Sequence, residues 1–382
     1  MPLAQSAKSR GIRVYHLNIG DPDIETPPVM LDILKRWKTS PIGYGLSQGE
    51  PEFIDALQLY YRSIGFGFLH TDNIQVTVGG SEAIFMAMFG VGQPGDEIVV
   101  FEPFYTNYNS YAAISGIRLV PIRTHIRDGF HIPDTRTIEK SITKKTRAIL
   151  YCSPNNPTGT VYTQKEVEQL VGIAQKHGLF LLSDEVYREF TYDGKKHVSL
   201  LSYMRDIPEQ AIVLDSMSKR YSLCGARLGA LLSLNSQIME GVLRIGQGRL
   251  SAGVVDQAMA AQLIRLKPSY YASIRREYEK RRDLLYSGLS AIPGVVIPKP
   301  EGAFYTIVGL PISDAEDFCR FLLTDFHDRG ETVMLAPAAG FYASKGSGAN
   351  EVRIAYVLNC EKLTRCIEIL RKALKQYQRK HS

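Results

Sequence analysis

Residues 147–185 read RAILYCSPNNPTGTVYTQKEVEQLVGIAQKHGLFLLSDE and hold the clearest structural signal in the chain. The runs RAILYC and LFLLSDE at the two ends are short and aliphatic with little polar alternation, as is typical of strands covered on both faces. Between them, Thr163 and Glu166 form a T-x-x-E capping box, apolar residues follow at helical spacing, and Gly178 provides a C-terminal stop. A strand, a helix and a second strand in this order predict a βαβ unit in a parallel sheet.

The same strand signal recurs on both sides of this unit. The further short β-branched or aliphatic runs are IQVTV (74–78), EIVVF (97–101), IRLVPI (117–122), AIVLD (211–215) and ALLSL (230–234). Together with the first two runs, they predict an α/β fold whose large domain contains a mostly parallel seven-stranded sheet between helices.

The last third of the chain has a different character. Residues 252–290 are rich in charge and predict one long helix, and the remainder mixes helical patterns with short strands. The last helical pattern follows Asn359 and carries one apolar stripe, namely Leu363, Ile367, Leu370, Leu374 and Tyr377. We therefore expect a large domain over residues 45–275 and a smaller α+β domain built from residues 1–44 and 276–382.

Composition limits the possible classes of function. The chain has 382 residues, 45% hydrophobic and 22% charged, which is typical of a globular protein with two or three domains. No apolar run approaches the roughly 20 residues that cross a bilayer, and the start MPLAQSAKSRGIRVYH lacks the apolar core of a secretory signal. The five cysteines lack C-x-x-C spacing, which argues against a metal site and predicts a reducing, cytoplasmic location. A net charge of +6 without a basic stripe argues against nucleic-acid binding.

The segment SMSKRYSLCGARLG (216–229) carries the strongest chemical signal. Lys219 follows a predicted buried strand, and a lysine in a pocket that lowers its pKa suits Schiff-base chemistry, although a lone lysine here would normally be a surface residue. Nearby hydroxyl groups could donate to a phosphate that Arg227 grips through two hydrogen bonds. The whole segment resembles the lysine signature of class I/II pyridoxal-phosphate aminotransferases. The matching positions are Ser216, Ser218, Lys219, Ser222, Leu223, Gly225, Arg227, Leu228 and Gly229.

Two further segments resemble the same family. SPNNPTGTVY (153–162) is a rigid loop after a strand, and the resemblance implies that Asn156 binds the phenolic oxygen of the cofactor. Asp184 ends an apolar strand, where an unpaired carboxylate is costly to bury. It could cap a following helix, or it could pair with the protonated ring nitrogen of pyridoxal phosphate, as the resemblance implies. In the latter arrangement, Tyr187 would reach the ring's oxygen substituent.

The segment VTVGGSEAIFMAMFG (76–90) places two glycines between a strand and a helix start. Free backbone N–H groups at such a turn suit a phosphate, although an ordinary tight turn with Ser81 as N-cap has the same pattern. The resemblance implies phosphate contacts from Gly80, Ser81 and Glu82, mainly through the backbone. It also implies that Tyr105, in EPFYTNY, stacks on the pyridine ring.

Arg353 interrupts the apolar run EVRIAYVLN (351–359), so its guanidinium needs an anion. That anion could be an internal carboxylate or the α-carboxylate of a substrate, and the resemblance favours the substrate. It further implies that Gly20, in NIGDPD, lies over the substrate. Tyr44, in IGYGLSQGEPEF, would reach the phosphate of a neighbouring subunit, which predicts a homodimer with shared active sites.

The resemblance extends from about residue 17 to 359 and implies a fold-type I enzyme with pyridoxal 5'-phosphate in the large domain. On this basis the chain is identified as an amino-acid aminotransferase that exchanges an amino group between an L-amino acid and a 2-oxo acid by a ping-pong mechanism. Lys219 would hold the cofactor and then move the proton of the substrate α-carbon, while Asn156 and Arg353 clamp the substrate. The identity of the amino acid stays open.

Two alternatives stay open as well. A pyridoxal-phosphate-dependent C–S β-lyase carries the same lysine, asparagine and aspartate on the same scaffold. A non-enzymatic effector-sensing domain would need an added DNA-binding module, and few residues precede the first motif at 18–23. A dehydrogenase is disfavoured because the G-x-G-x-x-G fingerprint is absent.

Overall fold

The structure, a computed structural model, describes residues 2–381. The helices in this range are α1 (Pro2–Ser9), α2 (Pro28–Arg36), α3 (Pro51–Ser63), α4 (Gly79–Val91), α5 (Asn107–Ser115), α6 (Thr135–Glu139), α7 (Gln164–His177), α8 (Met217–Arg220), α9 (Ser236–Arg249), α10 (Val254–Ala261), α11 (Pro268–Ser290), α12 (Ala315–Thr324) and α13 (Cys360–His381). The strands are β1 (Arg13–His16), β2 (Ile74–Val78), β3 (Glu97–Glu102), β4 (Arg118–Arg123), β5 (Thr146–Cys152), β6 (Phe180–Asp184), β7 (Ala211–Ser216), β8 (Leu228–Ser233), β9 (Tyr305–Gly309), β10 (Glu331–Met334), β11 (Ala336–Pro337) and β12 (Glu351–Ala355).

Strands β2 to β8 form one seven-stranded sheet in the order β2-β8-β7-β6-β5-β3-β4. Only β8 runs antiparallel to its neighbours. These strands correspond to the seven predicted runs, so the prediction of a mostly parallel sheet is confirmed. The register sets Asp184 beside Cys152 on one side and Leu214 on the other, at the carboxyl ends of their strands. Ligands of α/β sheets bind at this edge.

Both faces of the large sheet are buried. Leu181 and Val213 belong to an apolar core shared with α3, α7 and α10. The next residues in the same strands, Leu182 and Leu214, belong to a second core shared with α4, α5 and α9. Because successive residues face opposite cores, both sets must be apolar, and this explains the continuous apolar runs in the sequence.

The smaller α+β part of the fold contains two further sheets. Strands β11, β12 and β9 form an antiparallel sheet in that order, and β1 pairs in parallel with β10. Their apolar side chains share a core with α11, α12 and α13. The stripe predicted on the last helix is buried in this core, and Asn359 Oδ1 accepts a hydrogen bond from the Lys362 backbone N–H at 3.0 Å.

The prediction of one helix over residues 252–290 is wrong. Helix α10 ends at Ala261, a 3₁₀ turn follows, and α11 begins at Pro268. Proline cannot donate a backbone hydrogen bond and disfavours helical geometry in the preceding residue, so it begins a new helix here.

The predicted domain boundaries stay a prediction. Helix α2, which that division assigns to the smaller domain, contacts α10, and its Met30 lies in the core beside the large sheet. Within residues 2–381, none of the helices combines the length and apolar character needed to cross a membrane. All five cysteines carry free thiols.

Candidate active site

A cavity of about 510 Å³ lies at the carboxyl edge of the large sheet. The opposite wall comes from β9, β11 and β12, and residues 18–20 close one side. Every predicted site residue except Glu82 and Tyr44 lines this cavity. These lining residues are Gly20, Gly80, Ser81, Tyr105, Asn156, Asp184, Tyr187, Ser216, Ser218, Lys219, Arg227 and Arg353.

Lys219 lies on α8, a helix of 4 residues that follows β7 directly. Its Nζ donates a hydrogen bond to the Gly20 carbonyl oxygen at 2.9 Å and lies 3.6 Å from Cys224 Sγ. The side chain is half-buried and makes no ion pair with a carboxylate of the described chain. The amine is therefore held inside the cavity without a counter-ion, which is the setting that a nucleophilic lysine requires.

One end of the cavity is suited to an anion. Helix α4 begins at Gly79 without a side-chain N-cap, so the first backbone N–H groups of the helix face this end. Gly79 has φ +74°, and a Cβ there would approach Arg227 Nη2 to 2.6 Å. Ser216 Oγ lies 2.9 Å from Ser218 Oγ on the opposite side. Two hydroxyls, a guanidinium and a helix N-terminus together form a phosphate-sized donor set.

Asp184 forms the buried floor of the cavity. Its carboxylate accepts a hydrogen bond from Tyr108 Oη at 2.6 Å and a longer one from the Val186 backbone N–H at 3.4 Å. Burial raises the pKa of Asp184 to about 6. No helix begins directly after β6, because the next helical turn starts at Leu200, so Asp184 is not a helix cap. The carboxylate also has no cationic partner within residues 2–381. A buried carboxylate of this kind needs a cation from a ligand.

The middle of the cavity is lined by aromatic and amide groups. Tyr105 is half-buried in its wall, and Tyr187 Oη lies 3.1 Å from Tyr305 Oη. Asn156 Oδ1 accepts a hydrogen bond from Arg353 Nη1 at 3.3 Å. These groups line the same cavity as the anion end and the guanidinium of Arg353, and their rings and amide suit a flat aromatic ligand.

Arg353 is 8% exposed and carries no carboxylate partner within the described chain. Besides Asn156, it donates to the backbone oxygen of Asn18, while its Nε has no partner. The rings of Tyr305 and Phe341 lie 4.8 and 4.9 Å from its guanidinium carbon. The alternative of an internal salt bridge is therefore wrong. The guanidinium of Arg353 is buried and stacked on two rings, and it lacks an anionic partner.

Glu82 and Tyr44 do not line the cavity. The Glu82 carboxylate accepts a hydrogen bond from the Val78 backbone N–H at 2.6 Å and pairs with Arg249 Nε at 3.3 Å. Tyr44 is 86% exposed. The carboxylate of Glu82 is thus engaged in the local structure, and Tyr44 cannot act on this cavity within one subunit.

Sequence reasoning did not identify Tyr305, Phe341, Tyr108 or Asn18. Tyr305 and Arg353 lie on the paired strands β9 and β12, where Arg353 faces Ile307, two residues beyond Tyr305. Phe341 reaches the same guanidinium from a 3₁₀ turn. The aromatic pair Phe304–Tyr305 is visible in the sequence, but its position beside Arg353 depends on pairing between distant segments.

Comparison with known proteins identifies the family. The model of aminotransferase class I and II matches residues 12–370. The chain belongs to this family. The aromatic-amino-acid aminotransferase 2 of Thermococcus litoralis is 29% identical over 95% of this chain and 92% of its own length. The aspartate/prephenate aminotransferase of Thermus thermophilus is 29% identical over 96% of this chain and 92% of its own length. A solved alanine aminotransferase from Pyrococcus furiosus covers 98% of this chain and 95% of its own, with a TM-score of 0.89 and 30% identity.

This class I/II aminotransferase is a pyridoxal-phosphate-dependent enzyme that acts on amino acids. The relatives are named as aminotransferases, so neither the C–S β-lyase nor the effector-sensing alternative is favoured. The cavity fits the cofactor by the chemistry of its donors. It offers an anion cradle, a lysine amine without a counter-ion, and a buried carboxylate without a cation.

Proposed function

We propose that Lys219 holds pyridoxal phosphate covalently and that Gly80, Ser81, Ser216, Ser218 and Arg227 bind its phosphate. Asp184 pairs with the ring nitrogen, Tyr105 stacks on the ring, and Asn156 with Tyr187 binds the ring oxygen. Arg353, assisted by Asn156 and Gly20, binds the substrate carboxylate. The observation that carries this proposal is the meeting of a free amine, an unpaired buried carboxylate and an unpaired buried guanidinium in one cavity.

The bound cofactor supplies an electron sink for the pair of electrons left when the substrate α-carbon loses its proton. The chain supplies the rest. The buried carboxylate of Asp184 keeps a positive ring nitrogen in place, and Arg353 fixes the orientation of the substrate so that the α-hydrogen faces Lys219. The Lys219 amine, free once the amine of the substrate has taken its place, would serve as base and acid for that proton. Reversal with a 2-oxo acid gives ping-pong kinetics.

The decisive experiment compares wild type with Lys219→Ala. Sodium borohydride should fix the cofactor to the wild-type chain at Lys219, as read by peptide mass spectrometry, and should fix none to the variant. Amino transfer should be abolished in the variant. Full activity in Lys219→Ala would contradict the proposal. Release of pyruvate and ammonia from a sulfur amino acid, without amino transfer, would instead favour the C–S β-lyase.

We place the enzyme as a homodimer whose subunits share active sites. Support comes from the segment around Tyr44, where Ile42 is 60% and Leu46 is 57% exposed in the single chain, an unusual density of exposed apolar side chains. In this arrangement, Tyr44 of one subunit reaches the phosphate in the other. The prediction of a cytoplasmic location rests on the five free thiols.

Mixing two inactive or impaired variants tests the shared site. A hybrid of Lys219→Ala and Tyr44→Phe subunits contains one site with both Lys219 and Tyr44. At one site per dimer, the hybrid should bind the cofactor more tightly than the Tyr44→Phe homodimer does. A monomer in sedimentation analysis, or no recovery in the hybrid, would contradict shared sites.

A further inference from the structure

We propose that the amino-acid substrate has an apolar, uncharged side chain; this inference rests on the proposed function. The described residues that line the cavity include three cations, Lys219, Arg227 and Arg353. The proposed roles use all three, for the reacting amine, the phosphate and the α-carboxylate. Within this chain, the carboxylate of an acidic side chain would therefore have no cation left to pair with, and an unpaired carboxylate is costly in a partly desolvated site.

The remaining wall of the cavity is mostly apolar. Its apolar part includes Ile19, Ala336, Pro337 and Phe341, with Gly340 and Thr106 beside them, and its polar members are Asn18 and Tyr305. Phe341 is buried, whereas Ile19 is 44% exposed and lies where the cavity opens to solvent. When the amine and the carboxylate of a substrate are bound, its side chain must contact the part of the cavity wall that binds neither group. That lining is suited to aliphatic or aromatic carbon.

Gly340 sets the width of this part of the cavity. A Cβ on Gly340 would have Thr106 Cγ2 as its nearest neighbour, at 4.0 Å, so the space between the two residues is open. The backbone of Gly340 does not have positive φ, so larger residues fit there without backbone strain. A large side chain at position 340 should narrow the space that a large substrate needs.

The first test measures the half-reaction. The cofactor-loaded enzyme is mixed with one amino acid at a time, and the absorbance change of the cofactor is followed. L-Phenylalanine and L-leucine should react with kcat/KM at least about 100-fold above L-aspartate and L-glutamate. Fastest reaction with L-aspartate or L-glutamate overturns the inference and leaves the aminotransferase function intact. Absence of reaction with every amino acid contradicts the proposed function itself.

Binding of unreactive acids gives a readout that is independent of turnover. 3-Phenylpropionate should raise the melting temperature of the loaded enzyme at lower concentration than succinate does; the reverse order contradicts an apolar subsite. Gly340→Leu should lower kcat/KM for L-phenylalanine about 50-fold and change that for L-alanine by less than about 3-fold. Gly340→Ala adds a single carbon, so for L-phenylalanine its kcat/KM should lie between those of wild type and Gly340→Leu. Equal loss for both substrates in Gly340→Leu would show that this wall does not contact the side chain.

A second, independent observation concerns the turn that carries Lys219, residues 215–220. We infer that Asp215 and Arg220 close this turn and act as positioning residues for Lys219. Asp215 Oδ1 accepts the Ser216 backbone N–H at 2.7 Å, and Oδ2 accepts hydrogen bonds from Arg220 and from Tyr61 Oη. One carboxylate thus joins the first and last residues of the turn, and both ions are buried.

The turn needs such a tie because its helix is short. Helix α8 has 4 residues, fewer than a helix needs to be stable by its own hydrogen bonds. Arg220 also stacks over the ring of Tyr60 at 4.6 Å, and its backbone oxygen accepts a hydrogen bond from Tyr270. Its guanidinium therefore anchors the end of the turn, one residue after Lys219, to the protein core. A shift of about 1 Å at a reacting group can lower a rate about 100-fold.

The chain provides a matched control for this inference. Arg188 pairs with buried Glu185 and lies over the Tyr61 ring at 5.2 Å, so it is buried and stacked like Arg220, but its hydrogen bonds go to Glu185 and Ser199 rather than to a residue of the turn. The conservative variants Arg220→Lys and Arg188→Lys should lower the melting temperature by similar amounts. Any difference between them in function then reports on the turn rather than on general stability.

In Arg220→Lys, kcat should fall about 10-fold with KM for the amino acid within about 2-fold of wild type. Hydrogen exchange of the peptide covering residues 215–220 should accelerate in the cofactor-free protein. In Arg188→Lys, both quantities should match wild type. The inference is overturned if Arg220→Lys shows wild-type kcat and exchange, or if the two variants lose kcat equally at equal melting temperature.

Discussion

Asp184 and Arg353 lie in the same cavity, and each is a buried ion without a counter-ion in the described chain, but they respond differently to burial. Asp184 can bind a proton, and its pKa is raised to about 6 by desolvation. The guanidinium of Arg353 is instead stacked against the rings of Tyr305 and Phe341. The comparison shows that the cavity is prepared for two ligand charges of opposite sign, a cation beside Asp184 and an anion beside Arg353.

The largest effect is expected when Asp184 is made neutral. Asp184→Asn keeps the size of the side chain but cannot hold a positive ring nitrogen, so kcat should fall about 1000-fold. KM for the amino acid should change little, because Arg353 is intact. Steady-state kinetics with cofactor in excess provide the measurement. A kcat within tenfold of wild type would show that the charge at the floor of the cavity is not used.

The two ions also differ in their effect on stability. Because burial raises its pKa, Asp184 binds a proton more tightly in the folded than in the unfolded chain. The free energy of unfolding of the cofactor-free protein should therefore fall by about 3 kcal/mol as the pH rises from about 3 to 7. Urea titrations of wild type and Asp184→Asn across this range measure the effect as a difference. Glu301, whose pKa is lowered, contributes equally to both proteins and cancels. Identical pH dependence in the two proteins would contradict an unpaired Asp184.

Replacing Arg353 should affect substrate binding instead of the cofactor. Arg353→Met should lower kcat/KM for amino acids about 100-fold, chiefly through KM, because the substrate carboxylate loses a charged two-point partner. Retention of the cofactor during dialysis should match wild type. Arg353→Lys keeps the charge but loses the planar guanidinium, so its kcat/KM should lie between those of wild type and Arg353→Met. Loss of cofactor from Arg353→Met would show that this arginine binds the cofactor rather than the substrate carboxylate.

The smallest effect concerns the stacking of Arg353. Phe341→Leu removes one aromatic face from the guanidinium and should raise KM about 5-fold, as expected for the loss of about 1 kcal/mol of cation–π energy. Phe341→Tyr keeps the face and is the control. An unchanged KM in Phe341→Leu would mean that Tyr305 alone positions the guanidinium.

The predictions succeeded where the signal is local. Each strand of the large sheet is a contiguous apolar run, and Lys219, Asp184 and Asn156 follow such runs directly, so their meeting at one edge follows from parallel topology. The break at Pro268 was missed because the charged pattern continues across it. The phosphate contact of Glu82, expected mainly through its backbone, stays a prediction, while its carboxylate pairs with Arg249, which lies far away in the sequence.

The strands and the lysine-bearing turn are predictable from the sequence, because they depend on residues close together in the chain, and the resemblance to the family adds the charges that a cofactor needs. The surroundings of those charges are visible only in the folded molecule. Three contacts join segments that are distant in the sequence. Tyr108 donates a hydrogen bond to Asp184, and the rings of Tyr305 and Phe341 stack on Arg353. Tyr61 donates a hydrogen bond to Asp215 in the turn that carries Lys219. Such contacts depend on how side chains from different segments pack in the interior, and the hydrophobic pattern of a single segment does not specify this packing.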